Sequence, residues 1–87
     1  MISKEYILGA DGLHARPATA FVKLARNFKS AINLQKGEKT IKINSLLNLL
    51  SMGAKGGDTI CIHIEGDDEG EAAAAVELFF KELLSHP

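Results

Sequence analysis

Gly12-Leu13-His14-Ala15-Arg16-Pro17-Ala18 is the stretch whose residue types and spacing could do chemistry. Pro17 suits a first helical turn, whose amides have no partner, and Ala18, Phe21, Val22, Ala25 and Phe28 follow at helical spacing. A helix is therefore expected to begin inside the stretch, with His14 just ahead of its N-terminus. The orphan amides of a helix start, together with the helix dipole, favour negative charge. Arg16 adds a planar donor suited to gripping phosphate oxygens. An imidazole in such a positive field is kept from protonating, which leaves a ring nitrogen free as a nucleophile near neutral pH. The implied chemistry is a phosphoryl group carried on His14, stabilised by Arg16 and by the loop and helix start at Ala15, Pro17 and Ala18. A plainer reading stays open on these residues alone, since a histidine at a helix start can serve only as a cap or a loop residue.

The rest of the chain must position that stretch. With 87 residues, one domain spanning 1–87 is expected, and 46% hydrophobic against 24% charged residues is the balance of a chain that folds. A formal net charge of −1 argues against a counterion-release grip on nucleic acid. No apolar run approaches bilayer length and Met1-Ile2-Ser3-Lys4-Glu5 lacks a signal peptide's hydrophobic segment, so a cytoplasmic protein without membrane insertion is expected. Cys61 is the only cysteine, which excludes an internal disulfide and a Cys-rich metal cluster. The three histidines are too scattered to propose zinc, so no metal and no cofactor are expected.

Tyr6 and Leu8 alternate with Glu5 and Ile7 in a first strand that ends at Gly9-Ala10-Asp11-Gly12. Helix one runs from Ala15 or Arg16 to about Asn27, with Lys23, Arg26 and Asn27 toward solvent and Phe28 closing the last turn. Ala31 to Gln35 and Lys39 to Ile43 form a hairpin through Lys36-Gly37-Glu38, Ile32 and Leu34 sharing one face with Ile41 and Ile43. Asn44-Ser45 offers a cap for a short helix through Leu46, Leu47, Leu49 and Leu50 toward Gly53. Either some of these leucines stay exposed beside the phosphate site or all four are core.

After a loop at Lys55-Gly56-Gly57-Asp58, Thr59 to Glu65 is a last strand with Ile60, Ile62 and Ile64 inward, which leaves Cys61 and His63 on the solvent side. His63 then reads as a plain surface histidine and His86 as part of a frayed tail. A final helix opens at Asp67-Asp68-Glu69-Gly70-Glu71, where Asp68 and Glu71 have capping-box spacing, and Ala72, Ala73, Val76, Phe79, Phe80, Leu83 and Leu84 give its inward stripe. The order βαββαβα implies an α+β fold, a four-stranded antiparallel sheet with helices on one face.

Across Gly12 to Ala18, seven residues in a row, the chain resembles the active-site signature of HPr, the histidine-containing phosphocarrier family of the bacterial phosphoenolpyruvate-dependent sugar phosphotransferase system. The resemblance implies an open-faced β-sandwich with three helices over one sheet face. It implies that His14 accepts a phosphoryl group on Nδ1 from Enzyme I and passes it to IIA domains of sugar permeases, with Arg16 neutralising the phosphate. The protein would be a covalent carrier and a monomer rather than an enzyme. Thr19 and Lys23 on helix one, with Leu46, Leu47 and Leu50, match the family's docking surface. Ser45 falls where many family members carry a regulatory serine, which implies a serine-directed HPr kinase/phosphorylase and a catabolite-control transcription factor as further partners; capping alone also accounts for a serine there. Asn44 stands where the family often has a basic residue and Asn48 where glycine is common, and the turn before His14 is one residue short of many members.

The alternative within the same fold is a phosphocarrier of the nitrogen-related branch, which keeps the histidine and differs in partners. A ferredoxin-like RNA-binding module has a similar element order but needs exposed sheet aromatics and a basic surface, and here Tyr6 and four phenylalanines, mostly on helix stripes, are the only aromatics. A free-standing enzyme is disfavoured because no second acid, base or metal ligand accompanies His14 in a recognisable pocket.

Overall fold

Every second residue of the segment Thr59–Glu65 that begins at Ile60 is an isoleucine, and in an extended chain this puts Ile60, Ile62 and Ile64 on one face; all three are fully buried. The computed structural model describes residues 1–9, 12 and 15–85, for 84 and 85 the backbone alone. Its elements are β1 (Ile2–Ile7), α1 (Ala15–Ala25), β2 (Ala31–Lys36), β3 (Lys39–Lys42), α2 (Leu46–Ser51), β4 (Thr59–Glu65) and α3 (Glu69–Ser85). The expected order βαββαβα is therefore the observed one. Some boundaries move: β1 begins at Ile2, β2 runs on to Lys36, β3 stops at Lys42, and α1 closes at Ala25, followed by a turn in which Asn27 N–H donates to Leu24 O and Phe28 N–H to Ala25 O.

The strands form one antiparallel sheet in the order β1-β4-β2-β3, so β4 and β2 are central and the sequence neighbours β1 and β2 are kept apart. The β2–β3 hairpin is tighter than expected. Lys36 pairs with Lys39, leaving only Gly37-Glu38 in the turn, with Gly37 at φ 61°. A two-residue loop with glycine first matches the twist of the flanking strands. Leu34 pairs with Ile41, and Ile43 N–H donates to Ile32 O, so the apolar sets of both strands share the covered face.

Helices cover that face only. α3 lies against β1 and β4, α2 against β3, and α1 packs on both helices. Phe21 of α1 stacks on Phe79 at 5.1 Å and meets Phe80 edge-on at 5.4 Å, while Tyr6 of β1 stacks on Phe80 at 4.3 Å, so one aromatic cluster joins two helices to the sheet. The opposite face carries Ser3, Glu5, Asn33, Gln35, Cys61 and His63, half-buried or exposed.

His63 corrects its reading as a plain surface residue. It sits on a central strand, and its ring nitrogens lie 2.7 Å from Ser3 Oγ and 2.7 Å from Gln35 Oε1, which ties three strands across the open face. The capping box expected between Asp68 and Glu71 is not formed either. Asp68 instead accepts from the N–H groups of Lys29 and Ser30 and from the Ser30 hydroxyl, and the reciprocal pair at the helix entry is Gly66 with Glu69. His86 and the Leu84 side chain lie outside the described residues.

Candidate functional site

Helix α1 begins at Ala15, and helix geometry leaves the N–H groups of Ala15 and Arg16 ahead of the first closed turn, while Pro17 has none to satisfy. Pro17 and Ala18 are buried and fix the turn against the core; Ala15 and Arg16 are exposed. The helix start is thus anchored from beneath and open above. Such an end attracts anions through its amides and its dipole. His14 itself lies outside the described residues, as do Ala10, Asp11 and Leu13.

What the structure does describe is how the chain on either side of His14 is held. Gly12 is buried at φ 63°, and a side-chain carbon there would come within 2.7 Å of Ala54 O and 2.8 Å of the Lys55 backbone. Only glycine lets the two backbones approach this closely. Gly12 N–H also donates to Gly9 O at 2.9 Å, and Leu8 exchanges backbone bonds with Asp58 and Gly57. The connection leading to His14 is therefore laid against the α2–β4 connection. That second connection is itself braced: Asp58 accepts from Lys55 N–H at 2.8 Å and pairs with Lys36 Nζ at 3.0 Å, and Lys36 also donates to Gly53 O. The Lys55 amide first, and Lys36 beside it, hold the Asp58 carboxyl below the ordinary carboxylate range.

The other residues singled out from sequence fall on two neighbouring helices. Thr19 and Lys23 are on α1; the Thr19 hydroxyl donates to Ala15 O at 2.7 Å, so its polar atom is used within the helix, and Lys23 is exposed. On α2 the four leucines separate. Leu49 is core, Leu46 is half-buried, Leu50 is 37% exposed and Leu47 79% exposed. Helix α2 packs against α1, so these exposed leucines belong to the layer that carries the helix start. Ser45 caps α2, its hydroxyl oxygen accepting from Asn48 N–H at a long 3.4 Å, and its own side chain is half-buried.

Sequence reasoning missed the bracing by Lys36 and Asp58 and the close approach at Gly12. The Lys36–Asp58 pair joins the end of β2 to the α2–β4 connection and leaves no local pattern. The glycine does leave one, because a Gly-x-x-Gly turn ahead of a helix hints at a backbone held where side chains do not fit.

The architecture and the exposed helix start define a class: small open-faced β-sandwich proteins with helices on one face of a four-stranded antiparallel sheet. Residues 4–82 match the family model for the PTS HPr component phosphorylation site. The curated phosphocarrier protein HPr of Lysinibacillus sphaericus is 35% identical over 72 residues, 83% of this chain and 82% of that protein. Among solved structures, the histidine-containing phosphocarrier protein of a Mycoplasma superimposes with a TM-score of 0.90 at 32% identity, covering 95% of this chain and 97% of its own. HPr from Thermoanaerobacter tengcongensis gives 0.85 at 36% identity, covering 95% and 96%. The chain belongs to the HPr family, the phosphocarrier proteins of the phosphotransferase system.

Proposed function

We propose that His14 is the residue that carries the phosphoryl group, on Nδ1, with Arg16 and the α1 start stabilising the added charge. The observation that best supports this is the exposed, anchored helix start one residue beyond His14: amides of Ala15 and Arg16 ahead of the first turn, with the Arg16 guanidinium exposed beside them. On transfer, a P–N bond forms at His14 as the bond to the charged donor breaks, and the reverse exchange passes the group on. Little bond-making machinery is required of the carrier. Phosphoryl transfer depends on positioning and charge stabilisation, and an open site lets two partners reach the same nitrogen in turn.

The donor in this reading is cytoplasmic Enzyme I and the acceptors are IIA domains of sugar permeases. Leu47 and Leu50, exposed on α2, with Leu46, Thr19 and Lys23, form the docking surface, since exposed apolar side chains beside a charged transfer point are what a transient interface needs. Phosphorylation of Ser45 would add negative charge next to those leucines and weaken docking, which makes Ser45 a control point.

Incubation with phosphoenolpyruvate and Enzyme I should place an acid-labile phosphate on the protein, and His14→Ala should abolish it; retention of label by that variant would overturn the assignment. Replacing Enzyme I with its nitrogen-branch counterpart in the same assay separates the two branches by rate. Ser45→Asp should slow phosphoryl uptake about tenfold or more, as loss of one or two kcal/mol of docking energy would. Unchanged uptake kinetics would remove Ser45 from the docking region.

A further inference from the structure

Ser3 of β1, His63 of β4 and Gln35 of β2 form a row across the open face of the sheet, one residue from each of three adjacent strands. Ser3 Oγ lies 2.7 Å from His63 Nδ1, and Gln35 Oε1 lies 2.7 Å from His63 Nε2. The direction of each bond follows from the far end of the row. Gln35 Nε2 donates to Gly37 O at 3.1 Å, which turns the amide oxygen toward the ring. That oxygen can only accept, so Nε2 carries the imidazole proton. In the neutral ring Nδ1 is then a bare lone pair, and the Ser3 hydroxyl donates to it.

A tie between strands needs only matched donors and acceptors. This row has more: an exposed hydroxyl, a base whose lone pair faces that hydroxyl, and an acceptor behind the base that sets its tautomer. These are the parts of an activated serine nucleophile. Ser51 gives the contrast within the chain, being equally exposed but donating to Asn48 O, a backbone carbonyl that is no base. The ionisable groups that share the face with His63 are Glu5 of β1, Cys61 and Glu65 of β4 and Lys42 of β3, while both ring nitrogens are taken by Ser3 and Gln35. The helices lie on the opposite face, which leaves Ser3 open to a small reagent. The row itself holds no donor for a developing oxyanion, the feature on which turnover by serine enzymes depends, so its chemistry is a single modification.

We propose that Ser3 is a self-acylation site, which takes a small acyl group from a donor with a good leaving group, such as an acyl phosphate or an aryl ester. Ser3 Oγ attacks the carbonyl carbon as its proton passes to His63 Nδ1. The bond from that carbon to the leaving oxygen then breaks, an Oγ–C ester remains, and the proton goes from Nδ1 to the departing anion or to water, which restores the neutral ring. His63 acts as the base, and Gln35 is a positioning residue that keeps Nδ1 unprotonated toward Ser3. The site lies on the sheet face away from the helices and does not depend on phosphoryl transfer at the α1 start.

The test is incubation of the intact protein with p-nitrophenyl acetate and, in a separate arm, with acetyl phosphate, followed by peptide mapping by mass spectrometry. Hydroxylamine cleavage separates serine esters from amides formed at lysines, and a Cys61→Ala background removes the competing thiol on the same face. Both donors should label Ser3, about 100-fold faster than Ser51, the span a positioned general base supplies. His63→Gln, which keeps a polar side chain on the strand, should bring Ser3 down to the Ser51 rate. The parent rate should fall in acid, as the ring takes up a proton and Nδ1 ceases to accept. Gln35→Leu should slow labelling, whereas Gln35→Glu should retain it and move the acid limb to higher pH, because a carboxylate favours the protonated ring. Equal labelling of Ser3 and Ser51, a Ser3 rate unchanged by His63→Gln, or no ester at Ser3 from either donor would each overturn the proposal.

Discussion

Gly12 and Gly37 have nearly the same backbone angle, φ 63° and 61°, in very different surroundings. Around Gly37 there is open space, whereas a side-chain carbon at Gly12 would meet Ala54 O at 2.7 Å. Gly37→Ala should cost only the left-handed strain, about 1 kcal/mol. Gly12→Ala adds a backbone collision to that strain and should cost about 3 kcal/mol or more. Urea unfolding of the two variants measures the difference, and equal losses would mean that the β1–α1 connection yields freely. Gly12 lies two positions before His14, so this packing is where a glycine's conformational freedom bears on the proposed carrier residue.

At the scale of elements, the connections do as much as the strands and helices. The α1–β2 and β4–α3 connections lock at one place: Gly66 packs against Ser30, where a side-chain carbon would come within 2.6 Å, and Asp68 takes three hydrogen bonds from Lys29 and Ser30. The Ser30 hydroxyl first, then the Lys29 amide, hold the Asp68 carboxyl below its usual range; the amide of Gly66 and then the chain's α-amino group do the same for Glu69. A carboxyl whose value is lowered by folding stabilises the fold above its unfolded pKa, about 3.9 for aspartate, and loses that contribution as pH falls through the lowered folded value. Asp68→Asn should therefore be less stable than the parent at neutral pH, and the gap should close as pH drops below about 4. Urea midpoints across that range check it; a gap that persists undiminished in acid would show that the charge is not what holds the two connections together.

For the molecule as a whole, the decisive quantity is how little stability 87 residues provide, of order 4–13 kcal/mol. One core on one face of one sheet supplies it, and Phe80 is central there, fully buried against Tyr6, Phe21 and Phe79. Phe80→Ala should cost about 3–5 kcal/mol, a large share of the total, lowering the urea midpoint steeply. A loss under about 1 kcal/mol would mean that the aromatic cluster contributes little. With its apolar residues committed to this core, the chain leaves Leu47 and Leu50 exposed in the same layer as the α1 start, and no described helix is long and apolar enough to cross a membrane.

Local pattern was enough for much of this. Period-two isoleucines gave β4 its inward face, the 3.6-residue stripe gave α1 and α3 theirs, and Gly12 to Ala18 pointed to phosphoryl chemistry because helix-start amides and a guanidinium are local features. What depends on residues far apart in the chain was decided only by folding. The insertion of β4 between β1 and β2 turned His63 from an outward residue into a bridge between strands. Asp68 could cap its own helix or reach 38 residues back to Ser30, and tertiary packing chose the second. Periodicity reports which way a side chain points, but its partner is set by which surfaces meet, and that is a property of the folded chain.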